Sequence, residues 1–145
     1  MKNHTLNEEN KLYIAASVNG LTDIIHMANL DAGWWHDEKL EEFFPGPDNL
    51  KNFRIMPYVA GTKIALSHSE ISEALEGMRK GIMDDHLPHR PMIEVELADA
   101  IIRILDIAGA LNLDVGGALV EKFNYNQTRA DHKPEARQAE GGKSI

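Results

Sequence analysis

The chain is expected to be all-α, a bundle of four to five helices. Apolar residues recur every three to four positions through four long stretches, and no stretch alternates apolar and polar residues as a half-buried strand does. Capping residues and Pro/Gly breaks fall between those stretches, where helices must begin and end.

The first helix is expected over residues 6–30, with Leu12, Ile14, Ala15, Val18, Leu21, Ile24, Ile25 and Ala28 on one side. Asn7 is placed to cap it, and Glu8 and Glu9 sit at the positive end of its dipole. Gly20 weakens its middle by up to about 1 kcal/mol relative to alanine. An irregular connector follows, Asp31-Ala32-Gly33-Trp34-Trp35-His36-Asp37, and then a short helix over 38–44, which Pro45-Gly46-Pro47 ends.

A second long helix is expected over 57–80, with Pro57 in its first turn and Gly81 as its stop. Its apolar positions are Ile64, Leu66, Ile71, Ala74, Leu75 and Met78; Lys63, Ser67, Arg79 and Lys80 fall to the exposed side. Residues 82–90 read as a polar surface loop. Pro91 opens a third helix running to about Leu111. It is apolar around most of its circumference (Ile93, Leu97, Ile101, Ile104, Leu105, Ala108) and so is expected to be central. Asp114 caps a fourth helix carrying Val115, Leu119 and Phe123. From Asp131 the composition turns polar. The expected organisation is one domain over 1–132 and a flexible tail over 133–145.

The totals exclude several function classes. At 145 residues the chain can bury a core without staples, and it has no cysteine for disulfides, thiolate metal sites or nucleophilic catalysis. A net charge of -8 argues against nucleic acid as the main partner. No apolar run reaches the roughly 20 residues of a membrane span, and the first residues lack a signal-peptide core. A reducing, cytoplasmic setting is the expectation.

Two acidic pairs stand out on the central helices. Glu70 and Glu73 lie three residues apart on the second helix, and Glu96 and Asp99 three apart on the third, so each pair shares a helix face. Like charges brought together in a core need a positive partner. Hard oxygen donors suit Mg²⁺, or Mn²⁺, which bind through a few carboxylates together with substrate phosphates. On the fourth helix Lys122, Asn126 and Arg129 share a face able to hold phosphate oxygens and a sugar hydroxyl. Both tryptophans lie in the connector. Either they plug the end of the bundle, or Trp34 or Trp35, with His36, contacts a base.

Competing chemistries are weaker. A di-iron bundle uses Glu-x-x-His, and no Glu here has a His three residues on. The dipeptide His36-Asp37 is the pair of HD-type metal phosphohydrolases, but it stands without well-placed further ligands. There is neither a nucleophile elbow nor a glycine-rich phosphate loop.

With these residues in place, the sequence resembles the MazG-like family of all-α nucleoside triphosphate pyrophosphohydrolases. The likeness rests on Glu70-Ile71-Ser72-Glu73, a 22-residue spacer, Glu96-Leu97-Ala98-Asp99, and then Lys122, Asn126 and Arg129, spanning roughly residues 57–132. The Gly33-Trp34-Trp35 stretch and the 84–90 loop are similar to a phage and bacterial subgroup. Ser69 departs from the pattern, because many members carry a further glutamate there. The resemblance implies hydrolysis of a (d)NTP between its α and β phosphates, giving (d)NMP and pyrophosphate. Mg²⁺ would be held by Glu70, Glu73, Glu96 and Asp99. The chemistry agrees: such an ion activates a bound water, and of the catalytic candidates Glu70 and Glu73, Glu70 is the first choice as general base. The resemblance further implies a homodimer or homotetramer. A helical module that holds a nucleotide without turnover is the alternative.

Overall fold

The computed structural model describes residues 6–37, 42–43 and 56–129. Among them run four helices, α1 (Glu8–Asp31), α2 (Met56–Lys80), α3 (Met92–Ala110) and α4 (Val115–Thr128). A two-residue antiparallel ladder joins β1 (His36–Asp37) to β2 (Glu42–Phe43), with His36 opposite Phe43 and Asp37 opposite Glu42. The described chain is thus all-helical apart from this ladder. The ladder overturns part of the short helix expected over 38–44; a helix of seven residues is too short to hold itself together without tertiary support. The expected tail, 133–145, lies outside the described residues. No described helix is long and apolar enough to cross a membrane.

Local chemistry accounts for the helix limits. Asn7 Oδ1 accepts the Asn10 amide at 2.8 Å and caps α1. Gly81 follows α2 at φ 64°, the left-handed conformation that lets a helix end without a Cβ clash. Pro91 sits in extended backbone immediately before α3, and Asp114 Oδ1 accepts the Gly117 amide at 2.8 Å to cap α4.

The chain divides into two compact units, one made of the described parts of Met1–Gly20 and Asp114–Ile145, the other of Leu21–Leu113. In the first, the start of α1 packs on α4 through amide chemistry. Asn19 Oδ1 accepts the Gly116 amide at 2.9 Å, Asn19 Nδ2 donates to Asp114 Oδ1 at 2.8 Å, and the Leu6 amide donates to Asn124 Oδ1 at 3.1 Å. Gly116 is required here, since a Cβ would collide with the Ala15 carbonyl and the Asn19 side chain.

The second unit is built on α3, which buries Glu96, Ala100, Leu105, Asp106, Ile107, Ala108 and Ala110. Its alanines, with buried Ala74 of α2, keep the two helices close. Trp35 closes this core, 2% exposed, against Ala110 and the partly buried Leu30, Val59 and Leu111.

One expectation is reversed. Ser67 of α2 is buried and Lys63 half-buried, whereas Ile64, Leu66, Ile71, Leu75 and Met78 are exposed, Leu75 at 59%. Within this chain α2 turns its polar stripe, not its apolar one, toward α3. On α3 Leu97, Ile101 and Ile104 are likewise exposed, as are Leu12, Leu21 and Ile24 of α1. The physical reason lies on α3, whose inward side carries Arg103 and Asp106; α2 must meet them with charges of opposite sign.

Candidate metal centre

The polar seam between α2 and α3 follows from helical spacing. Lys63, Ser67, Glu70 and Ala74 recur at intervals of four, three and four along α2. Glu96, Asp99, Arg103 and Asp106 recur at three, four and three along α3, so each set forms one stripe. The stripes pair across the helices. Lys63 Nζ reaches Asp106 Oδ2 at 3.4 Å, and Arg103 Nε donates to Glu70 Oε1 at 2.5 Å. Ser67 satisfies its own hydroxyl by donating to the Lys63 carbonyl at 3.2 Å.

Beyond Arg103 the seam turns acidic. Glu70, Glu96 and Asp99 each offer a carboxylate oxygen, and the three oxygens lie within 4.8 Å of one another. Glu70 and Glu96 are buried, while Asp99 is exposed. Burial pushes the Glu96 carboxyl up from its ordinary 4.5 to about 7, helped by its hydrogen bond with Glu70 and by the charges of Glu73, Glu70 and Asp99. Asp99 is also raised, first by the part of it that is buried and next by the charge of Glu70. Arg103 pulls it the other way, and Asp84 and Glu73 add to the rise. The cluster holds more negative charge than its surroundings neutralise.

Three of the four expected acids are therefore brought together. Glu73 is not in that group; it is exposed and accepts from the Ser69 hydroxyl at 3.2 Å. Ser69, the residue before Glu70, thus bonds Glu73 outside the cluster.

A cavity of about 250 Å³ adjoins the acids and shares Asp99 with them. Asn29 and Trp34 line it from the end of α1 and the turn, Lys63 from α2, and Arg103 and Asp106 from α3. Trp34 is 71% exposed at this cavity. Trp35, expected as a second candidate for base contact, is a structural residue instead. Its indole Nε1 donates to Asp106 Oδ1 at 2.8 Å, the Lys63 ammonium lies 3.9 Å from its ring centroid, and the His26 ring meets it edge-on at 5.6 Å. Burial closes its ring to a ligand. The His36 side chain lies outside the described residues.

Lys122, Asn126 and Arg129 belong to the first unit, the acids to the second. The Lys122 ammonium sits 4.9 Å from the Tyr125 ring centroid, Asn126 Oδ1 is buried without a partner among the described residues, and Arg129 follows the last turn of α4.

Sequence reasoning missed Asp106, Arg103 and Asp84. Asp106 is buried and gathers Trp35, Lys63 and His26, whose Nδ1 lies 2.9 Å from its Oδ1. The spacing from Glu96 through Asp106 could have revealed the first two, since it continues the acidic stripe by two helical steps. Asp84 is buried in the 82–90 loop, where its carboxylate accepts the amides of His86 and Leu87 at 2.9 and 2.6 Å, and its charge reaches Asp99.

The donor set fits a divalent ion. Carboxylate oxygens are the hard donors that Mg²⁺ and Mn²⁺ take, and three of them, two from buried residues, lie within 4.8 Å of one another. No family model, no curated protein and no solved structure matches the chain.

Proposed function

We propose that the chain is a Mg²⁺-dependent nucleoside triphosphate pyrophosphohydrolase that cleaves a (d)NTP to (d)NMP and pyrophosphate. One observation carries the reading: Glu70 of the Glu-x-x-Glu pair and both acids of the Glu-x-x-Asp pair converge from two helices beside a cavity lined by Trp34, by Lys63 and Arg103, and by Asp99 and Asp106. Glu70, Glu96 and Asp99 are the residues that would hold the ion, with Mn²⁺ as a substitute. When bound, such an ion offsets phosphate charge and lowers the pKa of a water. Glu73 is the better proton acceptor for the attacking water. It is exposed and among the described residues takes only the Ser69 hydroxyl bond, whereas Glu70 is engaged by Arg103. Lys63 offers its charge to the ligand in the cavity, and Trp34 offers a ring face to a base. Phosphate and sugar contacts by Lys122, Asn126 and Arg129 belong to the same proposal on the sequence pattern.

The test is product analysis. Purified protein is incubated with each dNTP and NTP in Mg²⁺ and the products are separated by chromatography. NMP with pyrophosphate is expected; NDP with orthophosphate would overturn the reading. The Glu70–Arg103 pair favours a second reading, a nucleotide-holding module whose acids form a structural network. Tight nucleotide binding with no turnover would select it.

A homo-oligomer forms part of the proposal. Ile64, Ile71, Leu75 and Met78 make an exposed stripe on α2, and Leu97, Ile101 and Ile104 another on α3, more apolar surface than isolated exposed residues account for. Sedimentation analysis is expected to give a dimer or tetramer, and a monomer at micromolar concentration would refute it.

A further inference from the structure

Arg103 stands between two environments. Its Nε donates to Glu70 Oε1 at 2.5 Å, and its side chain also lines the cavity that Asp99 shares with the acidic cluster. Its side chain is 42% exposed, so it has room to turn, while that of Glu70 is 9% exposed and fixed in the seam. The contact to Glu70 uses Nε, and a guanidinium carries four further N–H donors in a planar fork that matches phosphate oxygens.

We propose that Arg103 is an exchangeable counter-ion. Its guanidinium balances Glu70 until a divalent cation takes that carboxylate, and then turns to a phosphate oxygen of a ligand in the adjoining cavity. The inference rests on the metal-dependent reading above. A divalent ion reaching Glu70, Glu96 and Asp99 meets the guanidinium across the same carboxylate, and two cations there repel one another. The side chain that gives way is the half-exposed one. It stays one helical turn from Asp99, on the face that borders the cavity, where a phosphate is the anion of matching geometry. Cation and anion binding thereby become coupled, each tightening the other by the same factor.

The coupling separates this role from a purely structural ion pair. Mn²⁺ binding to the full chain is measured by titration calorimetry, with and without inorganic pyrophosphate, for wild type, Arg103→Gln and Arg103→Lys. Without pyrophosphate, Arg103→Gln is expected to bind Mn²⁺ about fivefold more tightly, because a half-exposed competing charge is gone. Pyrophosphate is expected to bind the Mn²⁺-loaded variant about tenfold more weakly than it binds loaded wild type. Arg103→Lys keeps the charge and loses the fork, so its Mn²⁺ affinity stays near wild type while its pyrophosphate affinity falls. That variant carries the test should Arg103→Gln fail to fold. Unchanged or weaker Mn²⁺ binding by Arg103→Gln would overturn the exchange and make Arg103 a support for Glu70. Wild type that binds no Mn²⁺ would overturn the metal reading itself, a separate outcome.

Discussion

The α1–α4 pairing of the first unit and the α2–α3 seam of the second both set polar groups between helices, but they balance them differently. In the first, Asn19, Asp114 and Gly116 exchange hydrogen bonds, and the Asp114 carboxyl is held below its ordinary range by the Asn19 amide and the Gly117 N–H. In the second, Lys63–Asp106 and Glu70–Arg103 neutralise part of the seam, yet Glu96 and Asp99 are both raised because the charge around them is unbalanced. Satisfied polar contacts build a structure. Unbalanced ones in a cluster beside a cavity are the usual mark of a working site.

The largest effect is expected where the imbalance is removed at the proposed ligands. Asp99→Asn should lower turnover by about 100-fold or more, since losing a ligand exceeds the roughly 10- to 100-fold cost of losing an outer partner. The circular dichroism spectrum should stay that of wild type. Full activity in this variant would reduce the seam to a second structural pairing.

Asp106 tests the neutralised part of the same seam. Asp106→Ala leaves the Trp35 indole N–H and the Lys63 charge without their carboxylate, and breaking a buried pair in this way costs about 3–5 kcal/mol. Urea denaturation reads the loss; a change under 1 kcal/mol would mean that Asp106 holds nothing together. On the amide-bonded side, Gly116→Ala should cost about 1–3 kcal/mol by overpacking against Ala15 and Asn19, again read by urea denaturation. Because the acids belong to the other unit, its Mn²⁺ affinity should not move.

The smallest effect is the most diagnostic. Glu96 titrates at about 7 in the fold against an ordinary 4.5, so the folded chain holds this proton more tightly than the unfolded chain. That contribution to stability is complete below about pH 4.5 and is lost as pH rises through 7. In EDTA the melting temperature should therefore fall by several degrees between pH 6 and 8, and Glu96→Gln should flatten the slope. Mn²⁺ should reverse it, because the ion needs the ionised carboxylate and its affinity rises with pH. A wild-type slope that Mn²⁺ leaves untouched would count against a metal at Glu96.

By itself the sequence determined what short-range chemistry controls. Helix ends follow from Asn7, Pro57, Gly81, Pro91 and Asp114, whose capping and φ preferences act within four residues. The pairing of Glu96 with Asp99 on one face follows from helix geometry alone. Tertiary structure decided everything that depends on how one helix is rotated against another. Hydrophobic periodicity says that α2 has an apolar stripe but not that this stripe faces away from α3 within the chain. The rotation that buries Ser67 and Glu70 is chosen by partners 33 and 43 residues away, Arg103 for Glu70 and Asp106 for Lys63. The same long-range choice separates adjacent tryptophans, Trp35 sealed onto Asp106 and Trp34 left at the cavity. Neighbours on a chain share their local propensities. Which of them meets a buried carboxylate is settled only when distant helices pack.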